Sequence, residues 1–187
     1  MGRSWPYLVL LLPPLFWAGN FIVGRAFSAE LGAITMSFYR WLLALCLLTP
    51  FAYSRVRQEL PIILSHLPIL TVLALLSVAS FNVLLYLGLR DTEATNALLI
   101  NSSIPVWIVL FGVLFYSDSL TLRRGLGILV SLLGVSFLIF SGQSHGLTAN
   151  PGDLWVITSS IGWALYSLTL RKKPSDLSGL GFLAYIV

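Results

Sequence analysis

The residues that could do chemistry in this 187-residue chain lie inside its apolar stretches. Trp17, Asn20, Arg40, Asn82, Tyr86, Asn101, Trp163 and Tyr166 bring amide, phenol, guanidinium and indole groups into runs otherwise made of Leu, Val, Ile, Ala and Phe. Their chemistry is recognition. Amides donate and accept, a guanidinium is a fixed cation, and aromatic faces hold apolar or cationic groups. Nothing beside them could break a bond. No carboxylates pair within the apolar runs, no catalytic residue is expected, and no phosphate-binding loop of the G-x-x-x-x-G-K-[ST] kind occurs. No cofactor and no metal is expected either. The two histidines, His66 and His145, fall in polar connections and read as solvated loop residues, and the single cysteine, Cys46, has no partner for an internal disulfide.

The elements that must position these residues follow from composition. The chain is 57% hydrophobic and 10% charged, with a mean hydropathy of +0.90. Soluble domains run near ~25% charged. An all-α polytopic membrane protein is therefore expected, with the lipid bilayer and a small-molecule substrate as partners and no nucleic acid. The net charge of +4 is then a topology signal.

Six spans are expected, at Tyr7–Phe27, Ala33–Tyr53, Leu67–Leu89, Ala94–Tyr116, Leu122–Ser141 and Leu154–Lys172. The first is too long for a signal-peptide core and should kink or break locally at Pro13 and Pro14. Ser54–His66 reads as a charged loop, and Gly142–Gly152 as a turn-forming one. The closing Leu177–Val187 is 11 residues long, too short to cross. Counting from the span midpoints places Asn20, Arg40, Asn82 and Asn101 in one layer, each about 5 Å to the outer side of the midplane at ~1.5 Å per residue. A shared polar cavity would produce that layer. Asn82 and Tyr86 share a face, as do Trp17, Asn20 and Gly24, and Trp163 and Tyr166 repeat the Trp17–Asn20 spacing. Arg40 has two readings: a counter-charge for an anionic substrate group, or a structural arginine reaching carbonyls or the interface. Gly127, Ser131 and Gly134 form a small-residue stripe suited to close helix packing.

From Thr92 to Phe140 the chain reads as a hairpin: an uncharged run with N-A-L-L-I-N-S-S-I-P-V, a short acidic turn, then R-R-G-L-G-I-L-V-S-L-L-G-V. This resembles the signature hairpin of EamA-type permeases in the drug/metabolite transporter superfamily, with Asp118 where family members usually carry Glu. The resemblance implies a ten-helix secondary active transporter, a permease exporting small metabolites, amino-acid-like compounds or drugs by alternating access. It also implies residence in a bacterial inner (plasma) membrane.

An internal echo fits that fold. Trp17, Ala18 and Arg25 recur as Trp163, Ala164 and Arg171 at a constant offset of 146. One block of that length holds five spans, an odd number, so a second block enters from the opposite side: an inverted repeat. Residues 1–146 are expected to be the first EamA-like five-helix repeat, and residues 147–187 the incomplete start of the second. The alternative is a truncated, non-transporting membrane protein, or a half-size subunit or regulator. Either a homodimer or a missing C-terminal half would then complete the fold, and the 187-residue monomer alone is not expected to transport.

Basic residues set the orientation. Arg3, Arg55, Arg57, Arg123, Arg124, Arg171, Lys172 and Lys173 share one side; Arg25 and Arg90 lie on the other. The richer side is cytoplasmic by the positive-inside rule, and the N-terminus lies there. In a Cys46-free background, a single cysteine at position 57 should stay unlabelled by an impermeant reagent applied to intact cells; labelling from outside would reverse the topology.

Overall fold

The computed structural model describes residues 7, 9–141 and 150–187, and every regular element among them is helical. Helix α1 spans Leu12–Leu31. Pro13 and Pro14 fall in its first turn, where the missing N–H groups have no intrahelical partner to lose, and residues 10–11 just before them form a turn between helical residues, which is the local break expected there. Gly32, at φ 75°, turns the chain directly into α2. A side chain would be strained there.

Helix α2 runs from Ala33 to Ser65, 33 residues, and absorbs the segment expected to be a loop. The reason is a helical stripe. Ala52, Val56, Glu59 and Ile63 recur at i, i+4, i+7 and i+11 and face inward. Glu59 interrupts the apolar pattern, yet it is buried and is paired with Arg55 and with the Ser178 hydroxyl at 2.9 Å. Helix α3 covers Leu67–Asp91 and contains a π-helical stretch, Leu75–Ser80. Arg40 of α2 bonds Asn82 of α3 across a turn at His66. The two arms are 25 and 15 residues long, ~38 and ~23 Å as straight helices. Straight rods side by side would miss register by about 15 Å, so α2 must bend. Pro50 and Pro61, both inside it, remove the backbone bonds that would resist bending.

Helix α4, Ala94–Tyr116, is broken at Ser102 and Ser103 just before Pro105. The Ser102 hydroxyl donates back to the Leu99 carbonyl at 2.5 Å, and the Ser103 hydroxyl accepts from the Trp107 indole at 3.1 Å. The break therefore keeps polar partners at membrane depth. Helix α5 is Leu122–Ser141 and α6 is Pro151–Thr169, continued by a 3-10 turn to Lys172. The short α7, Gly179–Ile186, is capped by Ser178, whose hydroxyl accepts from the Gly181 N–H at 3.0 Å. Ala33–Ser65, Leu67–Asp91 and Ala94–Tyr116 are each long and apolar enough to cross a membrane.

The main core, with Phe21, Leu85, Tyr86, Leu89, Ala97 and Val156, lies where α1, α3, α4 and α6 meet. A second cluster joins Ile63, Leu70, Leu73, Leu177 and Phe182 under α7. The closest crossing is α3 on α6. A Cβ at Gly88 would sit 2.6 Å from Val156 and 2.7 Å from the Gly152 carbonyl, and one at Gly152 would meet the Gly88 carbonyl at 2.5 Å. Thr92 bonds Asp153 across the same end, Asn150 donates to the Asp91 carbonyl, and Arg25 donates to the carbonyls of Leu89 and Arg90 at 2.6 and 2.7 Å. Those carbonyls end α3, where a cation is favoured by the helix dipole.

The small-residue stripe of α5 does not pack as expected. A Cβ added at Gly125, Gly127 or Gly134 would meet nothing within 4 Å, and Ser131 faces outward. Small residues permit close approach, but no described helix takes it up. G88A should lower stability by about 1–3 kcal/mol through overpacking, whereas G127A should leave it unchanged or slightly raised; parallel thermal melts in detergent check the contrast.

Candidate functional site

Aromatic rings from three helices converge on one cavity of about 330 Å³. Trp163 of α6 stands edge-on to Trp17 of α1, with ring centroids 5.1 Å apart, and lies 4.6 Å from Phe81 and 5.1 Å from Tyr166. The two tryptophans are the pair separated by 146 residues. Trp17 and Trp163 are only partly covered by protein, while Phe81 is buried behind them.

Facing the rings is a chain of hydrogen bonds. The Tyr86 hydroxyl donates to Asn20 Oδ1 at 2.7 Å and accepts from Arg40 Nη1 at 2.9 Å. The same Nη1 donates to Asn82 Oδ1. Asn82 Nδ2 reaches back to the Ser77 carbonyl at 3.4 Å, inside the π-helical stretch. A π turn frees backbone groups that an α-helix would pair, and here a side-chain amide takes one of them. Tyr86 is fully buried because α1 offers Gly24 opposite it; a Cβ at Gly24 would lie 2.9 Å from the Tyr86 ring. The Arg40 guanidinium stacks over the Trp41 ring at 4.8 Å.

Six of the eight residues selected from sequence, Trp17, Asn20, Arg40, Asn82, Trp163 and Tyr166, therefore line one cavity. Tyr86 sits behind its wall and joins two of them, Asn20 and Arg40. Asn101 stands apart. It is buried and donates to the Ser160 hydroxyl at 3.1 Å, tying α4 to α6. Counting from span midpoints grouped it with the others, but it bonds α6 and does not line the cavity. Trp41, Ser77 and Phe81 also line the cavity and were not selected. Only the adjacency of Trp41 to Arg40 could have pointed to it. Among the described residues no group of His, Cys, Asp and Glu could hold a metal ion.

A second polar contact lies at the other end of α6. Arg171 donates to both oxygens of Asp118, at 3.0 and 2.8 Å, and stacks on Tyr116 at 5.3 Å. The acidic turn residue and the repeated arginine, 53 positions apart, form a two-pronged ion pair. The hydrogen bonds from Arg171, outweighing partial desolvation and helped by the Arg171 and Arg124 charges, hold the Asp118 carboxyl below its ordinary value of 3.8.

The profile of the EamA-like transporter family matches residues 4–140. The chain belongs to that family. As an EamA-like protein with helices of this length and composition, it is an integral membrane protein of the transporter class. An uncharacterized transporter of Archaeoglobus fulgidus is 30% identical over 91% of the chain and 58% of its own length. An S-adenosylmethionine uptake transporter of Rickettsia bellii is 23% identical over 100% of the chain and 62% of its own length. The protein WALLS ARE THIN 1 of Arabidopsis thaliana is 29% identical over 78% and 38%. The chain spans about half the length of the curated relatives it matches. No solved structure matches it. These names point to a transporter and not to an enzyme.

A carboxylate held below its ordinary pKa contributes stability above that value and loses it as the pH falls through the lowered one. The melting temperature of the wild type should therefore exceed that of D118N at pH 7, and the difference should close as the pH is taken below 3.8.

Proposed function

We propose that this chain forms the first part of a secondary transporter whose substrate passes through the Trp17–Arg40–Trp163 cavity. One observation supports this most: four polar side chains from three helices, Asn20, Arg40, Asn82 and Tyr86, are gathered on one side of a cavity walled by aromatic rings. Buried polar groups in a membrane protein are costly, and their natural use is along a substrate path. The cavity volume lies at the lower end of those that hold small organic ligands, roughly 300–1,000 Å³. A neutral or zwitterionic amphipathic metabolite suits such walls better than an inorganic ion.

The mechanism in this reading is alternating access, with the block containing α1 to α5 rocking against the block that begins at α6. Trp17 and Trp163, one from each block, meet at the substrate. With the N-terminus cytoplasmic in a bacterial inner membrane, the Asp118–Arg171 pair lies on the cytoplasmic side and the Arg25 contact on the outer side. The direction is export in this reading, on the resemblance; the uptake named for the Rickettsia relative is the opposite outcome of a flux assay.

In the full-length protein, N20L and N82L should each lower substrate flux by about tenfold, the scale of one or two lost hydrogen bonds in a buried site. N101L should lower the yield of folded protein while leaving the KM of what remains unchanged. Flux in reconstituted vesicles checks both, and undiminished flux in N20L and N82L would remove the cavity from the route.

A further inference from the structure

We infer that Arg40 receives a carboxylate group of the transported molecule, so that the substrate class is a small amphipathic carboxylic acid or zwitterion. This rests on the cavity being the substrate site. The argument starts from the charge. Among the described residues Arg40 is the one formally charged group lining the cavity, and no carboxylate bonds it. Both of its hydrogen bonds, to Asn82 and Tyr86, leave from Nη1 and go to neutral oxygens. A guanidinium has five N–H donors. Nε and Nη2, which make up the side-on fork of the group, bond nothing among the described residues. That fork matches the two oxygens of a carboxylate.

Neighbouring groups agree with this reading. The guanidinium lies over the Trp41 ring, and Trp41 Nε1 is buried without a hydrogen-bond partner among the described residues. Nη1 is pinned, so the plane of the guanidinium is set before any ligand arrives; pre-setting a donor reduces the entropy lost on binding. On the far side Trp17, Trp163 and Tyr166 offer apolar faces, which accept a hydrocarbon body or an α-ammonium by cation–π contact. The volume equals about eleven waters at about 30 Å³ each, room for a molecule the size of an amino acid.

Matched acids and amides test this directly. Binding of 3-phenylpropionate against 3-phenylpropionamide, and of L-leucine against L-leucinamide, is measured by calorimetry on the full-length protein in lipid nanodiscs. Each acid should bind at least about tenfold tighter than its amide, the scale of a charge-assisted pair against a neutral one. R40K should keep a reduced preference and R40Q should lose it while still binding the amides. Acids and amides binding alike to the wild type would overturn the role of Arg40 and leave the cavity reading intact, and this comparison holds even if R40Q fails to fold. An acid preference that survives in a folded R40Q would also overturn it. Saturable binding by none of the four probes would overturn the cavity reading and this inference together.

Discussion

A fixed positive charge held at membrane depth by neutral partners is the constraint on which the rest of this structure depends. An arginine near the centre of an isolated membrane helix costs ~2.5–3.5 kcal/mol on insertion scales. Arg40 meets that cost with two hydrogen bonds and a stacked indole. Each partner then makes its own demand. Tyr86 must be buried, so α1 must present glycine at position 24. Asn82 must face Arg40, so its amide takes the Ser77 carbonyl across the π turn. Two hydrogen bonds to a cation thus fix the placement of three helices.

The same helices are tied together away from the cavity by different means. At the end of α3 the tie is close backbone packing, Gly88 against Gly152, reinforced by Arg25, Asn150 and the Thr92–Asp153 pair. At the end of α4 it is an ion pair, Asp118 with Arg171. One end is welded by shape and the other is clasped by charge. A backbone contact without room for a methyl group changes little without large rearrangement. An ion pair half open to water is worth little to the fold and can be exchanged at low cost.

Much of this was legible in the sequence, and the limits have physical causes. The spans Ala94–Tyr116 and Leu122–Ser141 coincide with the helices found, because an uncharged run bounded by polar turns leaves few choices. Which residues to group was legible too: counting from span midpoints put Asn20, Arg40 and Asn82 together, and one chain of hydrogen bonds joins them. Direction around the helix was not: Asn101 was counted with Asn82 yet bonds Ser160, because azimuth is decided by packing between segments far apart in sequence. The extension of α2 through Arg55 and Arg57 was hidden by its charges, which read as a loop until Glu59 is seen to be paired on the inward face. The packing role expected of the α5 glycines failed for the opposite reason, since a permissive surface says nothing about whether a partner comes. That the Asp118 turn and Arg171 belong together could not be read from either alone.

The π-helical stretch Leu75–Ser80 is slack stored in α3. A helix advances about 100° per residue around its axis, and a π turn holds one residue more than the α turn it replaces. The turn therefore absorbs one surplus residue without turning the helix further, so Asn82 and Tyr86 keep the direction they would have in a regular helix one residue shorter. Removing a single residue there would leave a longer regular helix with every backbone bond made. Asn82 and Tyr86 would still face Arg40, but the Ser77 carbonyl would be taken into the regular backbone ladder and the Asn82 amide would lose its hold on it. The more regular helix would be the one with the looser grip on the charge.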